Sequence, residues 1–185
     1  MVNWIKNWIS NIFNCNPRIK SWKDVEYFDE SWKIRIQTMS QFIDKNDSVI
    51  DLGCGKMWLK EFLHSSNSYI PVDYINRADY TIICDFNKYE FPANTADISF
   101  ISGCLEYIND YTWFINKVCN HCERCIISYC IFEKYPNIKN RKKSHWVNHL
   151  LEKDIIKLFA ENGFYLTHQV ISPTQNYIYC FDKNS

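Results

Sequence analysis

The sequence predicts a doubly wound α/β domain: a mostly parallel sheet finished by an antiparallel hairpin. Three observations carry this. Short apolar runs recur from Ser48 onward, and four in succession end in glycine, acid or serine. Segments of helical periodicity separate several of them, the alternation that builds parallel sheets. Near the C-terminus two strand-like runs flank Ser172-Pro173-Thr174-Gln175, a turn short enough to force antiparallel pairing.

Taken in order, Trp4, Ile5, Trp8, Ile9, Ile12 and Phe13 mark an amphipathic helical segment. A second helix is expected over about 29–43, with Trp32, Ile36, Met39 and Ile43 on one face and Asp29 and Glu30 at its N-terminus. Residues 48–52 form the first strand, 56–64 read as a helix, and 69–73, 80–85, 97–102 and 125–129 are further strands, with a helix over about 111–120 before the last. Residues 137–149 read as a polar, basic loop. A helix follows over about 151–162, stopped by Gly163 at a helix C′ position. Strands at 164–171 and 176–181 close the chain, making an N-terminal helical cap (1–45) on one sheet domain (46–185).

At 185 residues the chain suits one domain with a full core. Lys plus Arg and Asp plus Glu both total 21, so the basic excess expected of a nucleic-acid binder is missing. No apolar run reaches the roughly 20 residues of a membrane span, and no signal peptide is recognisable, so a cytoplasmic protein is expected. Nine cysteines, an odd count, then read as reduced and mostly buried thiols.

In doubly wound sheets ligands bind beyond the carboxyl ends of the strands, near the switch in strand order. Those ends carry Asp51-Leu52-Gly53-Cys54-Gly55, Asp73-Tyr74, Asp85-Phe86 and Ser102-Gly103. Of only four glycines in the chain, three (Gly53, Gly55, Gly103) fall here, where turns or close approach require them. An acid ending the second strand suits a pair of ribose hydroxyls, which fits Asp73. Asp85 can accept from an exocyclic amine with Phe86 packing on the ring, although a helix-capping role is equally open.

These residues resemble class I S-adenosylmethionine-dependent methyltransferases. Val49-Ile50-Asp51-Leu52-Gly53-Cys54-Gly55 is similar to their first motif, Asp73 to their ribose acid and Asp85 to their adenine-contacting acid; Asp97 to Ile108 resembles their fourth-strand motif. The likeness runs from about Trp22 to Phe181 in element order. It implies a Rossmann-like seven-stranded sheet with an antiparallel last strand, S-adenosyl-L-methionine as cofactor, and transfer of a methyl group to oxygen or nitrogen. One departure is Met57, where a third loop glycine is common. The rival, a nicotinamide-dependent oxidoreductase, would need glycine where Trp58 stands.

Position suggests Arg35 for the cofactor carboxylate and Tyr27 to close the site. His145 and His149 are candidate general bases, since imidazole titrates near neutrality, and Glu106 and Tyr107 stand at the expected pocket edge. The charges of 139–149 can receive a phosphate or stay solvated. Cys119, Cys122 and Cys125 have a metal-like spacing, but the run crosses from helix into core strand, so no metal is expected. The acceptor is expected to be a small molecule; Tyr69 to Tyr74 and Cys84 to Asn87 resemble small bacterial methyltransferases of surface-polysaccharide synthesis. The Trp4/Trp8 face is open to packing, to a homodimer contact or to a membrane-surface role without stable insertion. A non-catalytic cofactor-binding partner subunit of another methyltransferase is the alternative.

Overall fold

Alternate residues of each central strand belong to different faces, and this period of two organises the core. The computed structural model of the chain describes Lys23 and residues 28–184. Tyr27, Cys15 and the Trp4–Phe13 segment lie outside these residues. The strands are β1 (Ser48–Leu52), β2 (Ser68–Asp73), β3 (Ile82–Ile83), β4 (Ile98–Ser102), β5 (Arg124–Tyr129), β6 (Phe164–Ile171) and β7 (Tyr177–Lys183). Their order is β3-β2-β1-β4-β5-β7-β6. β1 to β5 pair in parallel, and β7 runs antiparallel to both β5 and β6. The seven-stranded sheet with its antiparallel hairpin is the expected one, and strand order reverses between β1 and β4.

One face of the sheet collects Val49, Ile98, Phe100, Ile126, Ile178 and Cys180, covered by Ile36 and Met39 of helix α1 (Trp32–Ser40) and by Trp58 and Leu59. The other collects Ile50, Leu52, Ile101, Ile127, Tyr129, Tyr179 and Phe181. Helices α2 (Tyr111–Cys119) and α4 (Glu152–Glu161) cover it with Phe114, Ile115, Val118, Ile155 and Phe159. Phe159 stacks on Phe181 with ring centroids 3.9 Å apart. Gly163 ends α4 at φ +80°, the left-handed position anticipated for it.

Four elements differ from expectation, each for a local reason. The helix expected over 29–43 shortens to α1, because Trp32, Lys33 and Ile34 N–H groups bond back three residues to Asp29, Glu30 and Ser31. The helix expected over 56–64 is only a 3₁₀ turn, Trp58–Glu61, entered through Met57 at φ +54°. A left-handed residue breaks any α-helix running through it. The strand expected over 80–85 contracts to two residues: Thr81 Oγ1 accepts from the N–H groups of Arg77 (3.3 Å) and Ala78 (2.9 Å), holding the chain in a turn. The loop expected over 137–149 contains a short helix, α3 (Ile138–Lys143). Asn137 caps it by accepting from Asn140 N–H (3.1 Å), and His145 stops it at φ +59°.

All eight described cysteines are free, seven of them buried. Among the described residues no group of three His, Cys, Asp or Glu is placed to hold a metal. Cys119, Cys122 and Cys125 are core residues. No helix among the described residues is long and apolar enough to cross a membrane.

Candidate functional site

The parallel strands β1, β2 and β4 aim their carboxyl ends at one pocket. Of the candidate residues, Gly53, Asp73, Tyr74, Asp85, Phe86 and Tyr107 line it, joined by Lys23, Cys84, Asn87, Cys104 and Ile108. Gly53 turns at φ +84° and Gly55 at φ +51°, so both need glycine's left-handed freedom. Their missing side chains also admit close neighbours. A Cβ on Gly53 would lie 2.8 Å from Cys104 Sγ, and one on Gly55 would lie 2.6 Å from the Phe28 ring. Gly103 is packed in the same way against the Arg35 guanidinium, 2.8 Å from where a Cβ would stand. The glycines therefore bring the chain's own side chains onto the loop.

Asp73 is the centre of the pocket. It is 1% exposed, and its Oδ2 accepts from Gly55 N–H (2.9 Å) and Arg77 Nε (3.3 Å). Its other oxygen, Oδ1, is buried without a hydrogen-bond partner among the described residues. A buried acceptor left open costs free energy until a ligand or water donates to it. Asp51 lies beneath the loop, 4% exposed, with Tyr69 donating its phenol to Oδ2 at 2.7 Å. Burial, aided by neighbouring Asp73, raises its pKa to about 7 against the counter-effect of the Tyr69 bond. Cys54, whose N–H bonds Val72 O at 3.0 Å, is buried beside the same acids, which together with desolvation hold its thiol protonated. Leu52 is wholly buried in the core.

Asp85 occupies both positions left open by the sequence. It lines the pocket, and its Oδ1 caps the 3₁₀ turn Phe86–Lys88 by accepting from Asn87 N–H at 3.2 Å. Its Oδ2 is ion-paired with Lys23, whose ammonium also lies 5.2 Å from the Tyr74 ring centroid. Phe86 is mostly core, its ring 4.9 Å from that of Phe114.

Arg35 is 7% exposed and reaches the end of β4, where Nε donates to Ser102 Oγ at 3.0 Å. Burial lowers its pKa, opposed chiefly by the nearby charge of Glu106. Glu106 is 2% exposed; Oε1 accepts from Cys130 N–H (2.9 Å), whereas Oε2 is buried with no hydrogen-bond partner among the described residues. Burial raises its pKa, only partly countered by Arg35 and Arg141. Tyr107, also raised by burial, hydrogen-bonds Trp146 through its side chain.

The wall of chain after β5 is built around Arg141, which is not among the pocket-lining residues and which sequence reasoning left within a polar loop. It is 1% exposed, and all five N–H donors are used: Nε to His149 Nδ1 (2.9 Å), Nη1 to Cys130 O (2.8 Å) and Tyr135 O (3.4 Å), Nη2 to Tyr129 Oη (3.0 Å) and Asn148 O (3.2 Å). Its guanidinium lies 4.7 Å from the Trp146 ring centroid. Asn148 Nδ2 donates to Leu105 O (2.7 Å) and Ile108 O (2.9 Å), and Val147 N–H to Glu106 O (2.9 Å). The segments following β4 and β5 are thus stitched into one piece.

This wall decides what His149 can do. Arginine only donates, so Nδ1 of His149 must be an acceptor and Nε2 carries the proton of the neutral ring. Burial and the Arg141 charge lower its pKa. The one nitrogen able to take up a proton is engaged, so the geometry offers His149 as a donor and not as the general base. His145 ends α3, half-buried, its N–H bonded to Lys142 O (3.0 Å). Neither histidine lines the pocket.

No protein-family model matches the sequence, and no curated protein matches it. Solved structures do match in fold. The chain superposes on the Burkholderia thailandensis 1,6-didemethyltoxoflavin-N1-methyltransferase, bound to its substrate and S-adenosylhomocysteine, with a TM-score of 0.66 at 13% identity over 85% of this chain and 80% of that one. It matches a putative methyltransferase in complex with the Haloferax volcanii activator Trm112 with a TM-score of 0.66 at 11% identity, over 98% and 96% of the two chains. A third match is the O-methyltransferase NcsB1 of neocarzinostatin biosynthesis, bound to S-adenosylmethionine and a naphthoic acid: TM-score 0.65, 11% identity, 88% of this chain. This chain spans only 60% of NcsB1 and 54% of the mitomycin 7-O-methyltransferase MmcR. The fold is therefore the Rossmann-like α/β fold of S-adenosylmethionine-dependent methyltransferases.

Proposed function

We propose that the protein binds S-adenosyl-L-methionine at the carboxyl ends of β1, β2 and β4 and moves its methyl group to an oxygen or nitrogen of a small molecule. The observation that carries this is Asp73, a buried acid beside the glycine loop with one oxygen open to a donor. The residues present suit that group. Asp73 Oδ1 can accept from ribose, Asp85 from the adenine amine, and the Arg35 guanidinium can meet the carboxylate at the end of β4.

The loop separates the same cofactor from its rival: a Gly-x-Gly-x-x-Gly dinucleotide loop needs glycine where Trp58 stands, and Trp58 is buried in the core here. Once bound, the cofactor supplies an activated methyl, leaving the chain to align the acceptor, exclude water and receive a proton. Tyr107, which lines the pocket, and Glu106 beside it in the chain, with one open oxygen, are the residues we favour for this role.

The local sequence likeness to surface-polysaccharide enzymes makes a sugar hydroxyl, sugar amine or phosphate-type group the acceptor class we favour, handled in the cytoplasm. The division into a cap of residues 1–45 and a domain of 46–185, with Tyr27 near the site and a homodimer through the aromatic N-terminus, belongs to the same proposal. Calorimetry with S-adenosylmethionine, S-adenosylhomocysteine and NAD tests the cofactor: the first two are expected to bind one per chain and NAD not to bind. Transfer of labelled methyl to candidate sugar phosphates then tests the reaction, and binding of NAD alone would overturn both.

A partner-dependent form of this activity is the second reading. The neighbour matching almost the full length of the chain was solved with an activator protein. Edge strand β3 here is two residues long, with its own Ile83 57% exposed and nearby Tyr80 50% exposed. An isolated chain that binds cofactor but transfers no methyl until another protein is added would favour it.

A further inference from the structure

Resting on the cofactor reading above, we propose that Lys23 is an internal competitor for the cofactor site: its ammonium neutralises Asp85 in the free protein and weakens that carboxylate as an acceptor for the nucleoside. Three observations place it there. Lys23 lines the same pocket as Gly53, Asp73 and Asp85. Its Nζ pairs with Asp85 Oδ2, the one oxygen of that carboxylate not used in capping Asn87. Its backbone oxygen accepts from Tyr74 Oη at 3.3 Å while the ammonium lies over the Tyr74 ring.

The chemistry sets the two in competition. The capping bond to Asn87 N–H engages Oδ1 and the Lys23 ammonium covers Oδ2. Each oxygen keeps a second lone pair, but a carboxylate whose charge is already met by an ammonium is a weaker acceptor for a neutral exocyclic amine. The pair is easy to open. The Lys23 side chain is 36% exposed, so water solvates the released ammonium, and Lys88 at 3.9 Å keeps a cation near Asp85. Lys23 therefore lowers affinity modestly while keeping a buried acid partnered in the absence of ligand.

Calorimetric titration of S-adenosylmethionine into the wild-type chain, Lys23→Met and Lys23→Arg tests this. Lys23→Met is expected to bind about two- to fivefold more tightly, the size of a half-exposed ion pair. Lys23→Arg keeps the cation and is expected to match the wild type. Because salt screens exposed pairs, the gain should shrink between about 50 mM and 500 mM salt. Equal or weaker binding by Lys23→Met would overturn the proposal, as would Lys23→Arg binding as tightly as Lys23→Met. If no form binds the cofactor, the cofactor reading falls and this inference with it; if the wild type binds and Lys23→Met gains nothing, this inference alone falls.

Discussion

The two sides of the cleft are built on opposite principles. On the β1–β3 side the connections are tight: a left-handed glycine loop, 3₁₀ turns at Trp58–Glu61 and Phe86–Lys88, and buried acids at the strand ends. On the β4–β5 side, β4 runs into the 3₁₀ turn Leu105–Tyr107 and β5 into the segment that leads to α3. Buried Arg141 ties the latter together through the carbonyls of Cys130, Tyr135 and Asn148, and Asn148 Nδ2 joins it to Leu105 and Ile108. Each side leaves one buried acceptor open, Asp73 Oδ1 on the first and Glu106 Oε2 on the second. The central groups differ: Asp73 is satisfied at one oxygen alone, whereas Arg141 uses all five donors within the chain.

The largest effect expected from this contrast is at Arg141. Replacement by Met removes five hydrogen bonds and takes the side-chain donor from the buried carbonyl of Cys130 and from those of Tyr135 and Asn148. A loss of about 3–5 kcal/mol in urea unfolding is expected, with Lys restoring little because one ammonium cannot reproduce the planar fork. A loss under about 1 kcal/mol would mean that this wall is held by packing alone.

On the acidic side the effect is read through pH. Asp51 has a folded-state pKa raised to about 7, above the ~3.9 of an unfolded chain, so the native state binds its proton more tightly. Its contribution is thus present at low pH and lost as pH rises from about 4 through 7. Asp51→Asn should flatten that part of the stability curve, with Tyr69 still able to donate to the amide oxygen. An unchanged pH slope between pH 5 and 8 in the variant would show that Asp51 is ionised throughout.

The smallest effect concerns the loop's exit. Met57 takes a left-handed conformation that glycine adopts without strain. Met57→Gly is expected to stabilise by up to about 1 kcal/mol in thermal unfolding, less whatever packing the methionine supplies. Clear destabilisation would show that the side chain, not the backbone, dictates this turn.

The same contrast governs what was legible in the sequence. Gly53, Gly55, Asp73 and Asp85 could be found because strand ends and left-handed turns restrict residue type. Seven strands and their hairpin followed from short apolar runs bounded by strand-end and turn residues. Arg141 could not be found: a basic residue within Lys139–His149 looks solvated unless its burial is known. The one signal was Asn137, a potential cap for a helix within the supposed loop. The bond that sets the His149 tautomer was hidden for the same reason, since its donor lies eight positions away. The short helix after the loop was overestimated because a positive φ at Met57 leaves no trace in hydropathy. Lys23 on Asp85 is a long-range ion pair that no local pattern encodes.

Asp73→Asn gives the most direct measurement of the central claim, with S-adenosylmethionine affinity compared by calorimetry in the wild type and the variant. An amide still accepts one hydrogen bond but removes the charge and the second equivalent oxygen, so binding should weaken about tenfold to a hundredfold, with little change in thermal unfolding. Undiminished affinity in Asp73→Asn would contradict the account, because the open oxygen at the end of β2 would then play no part in holding the cofactor.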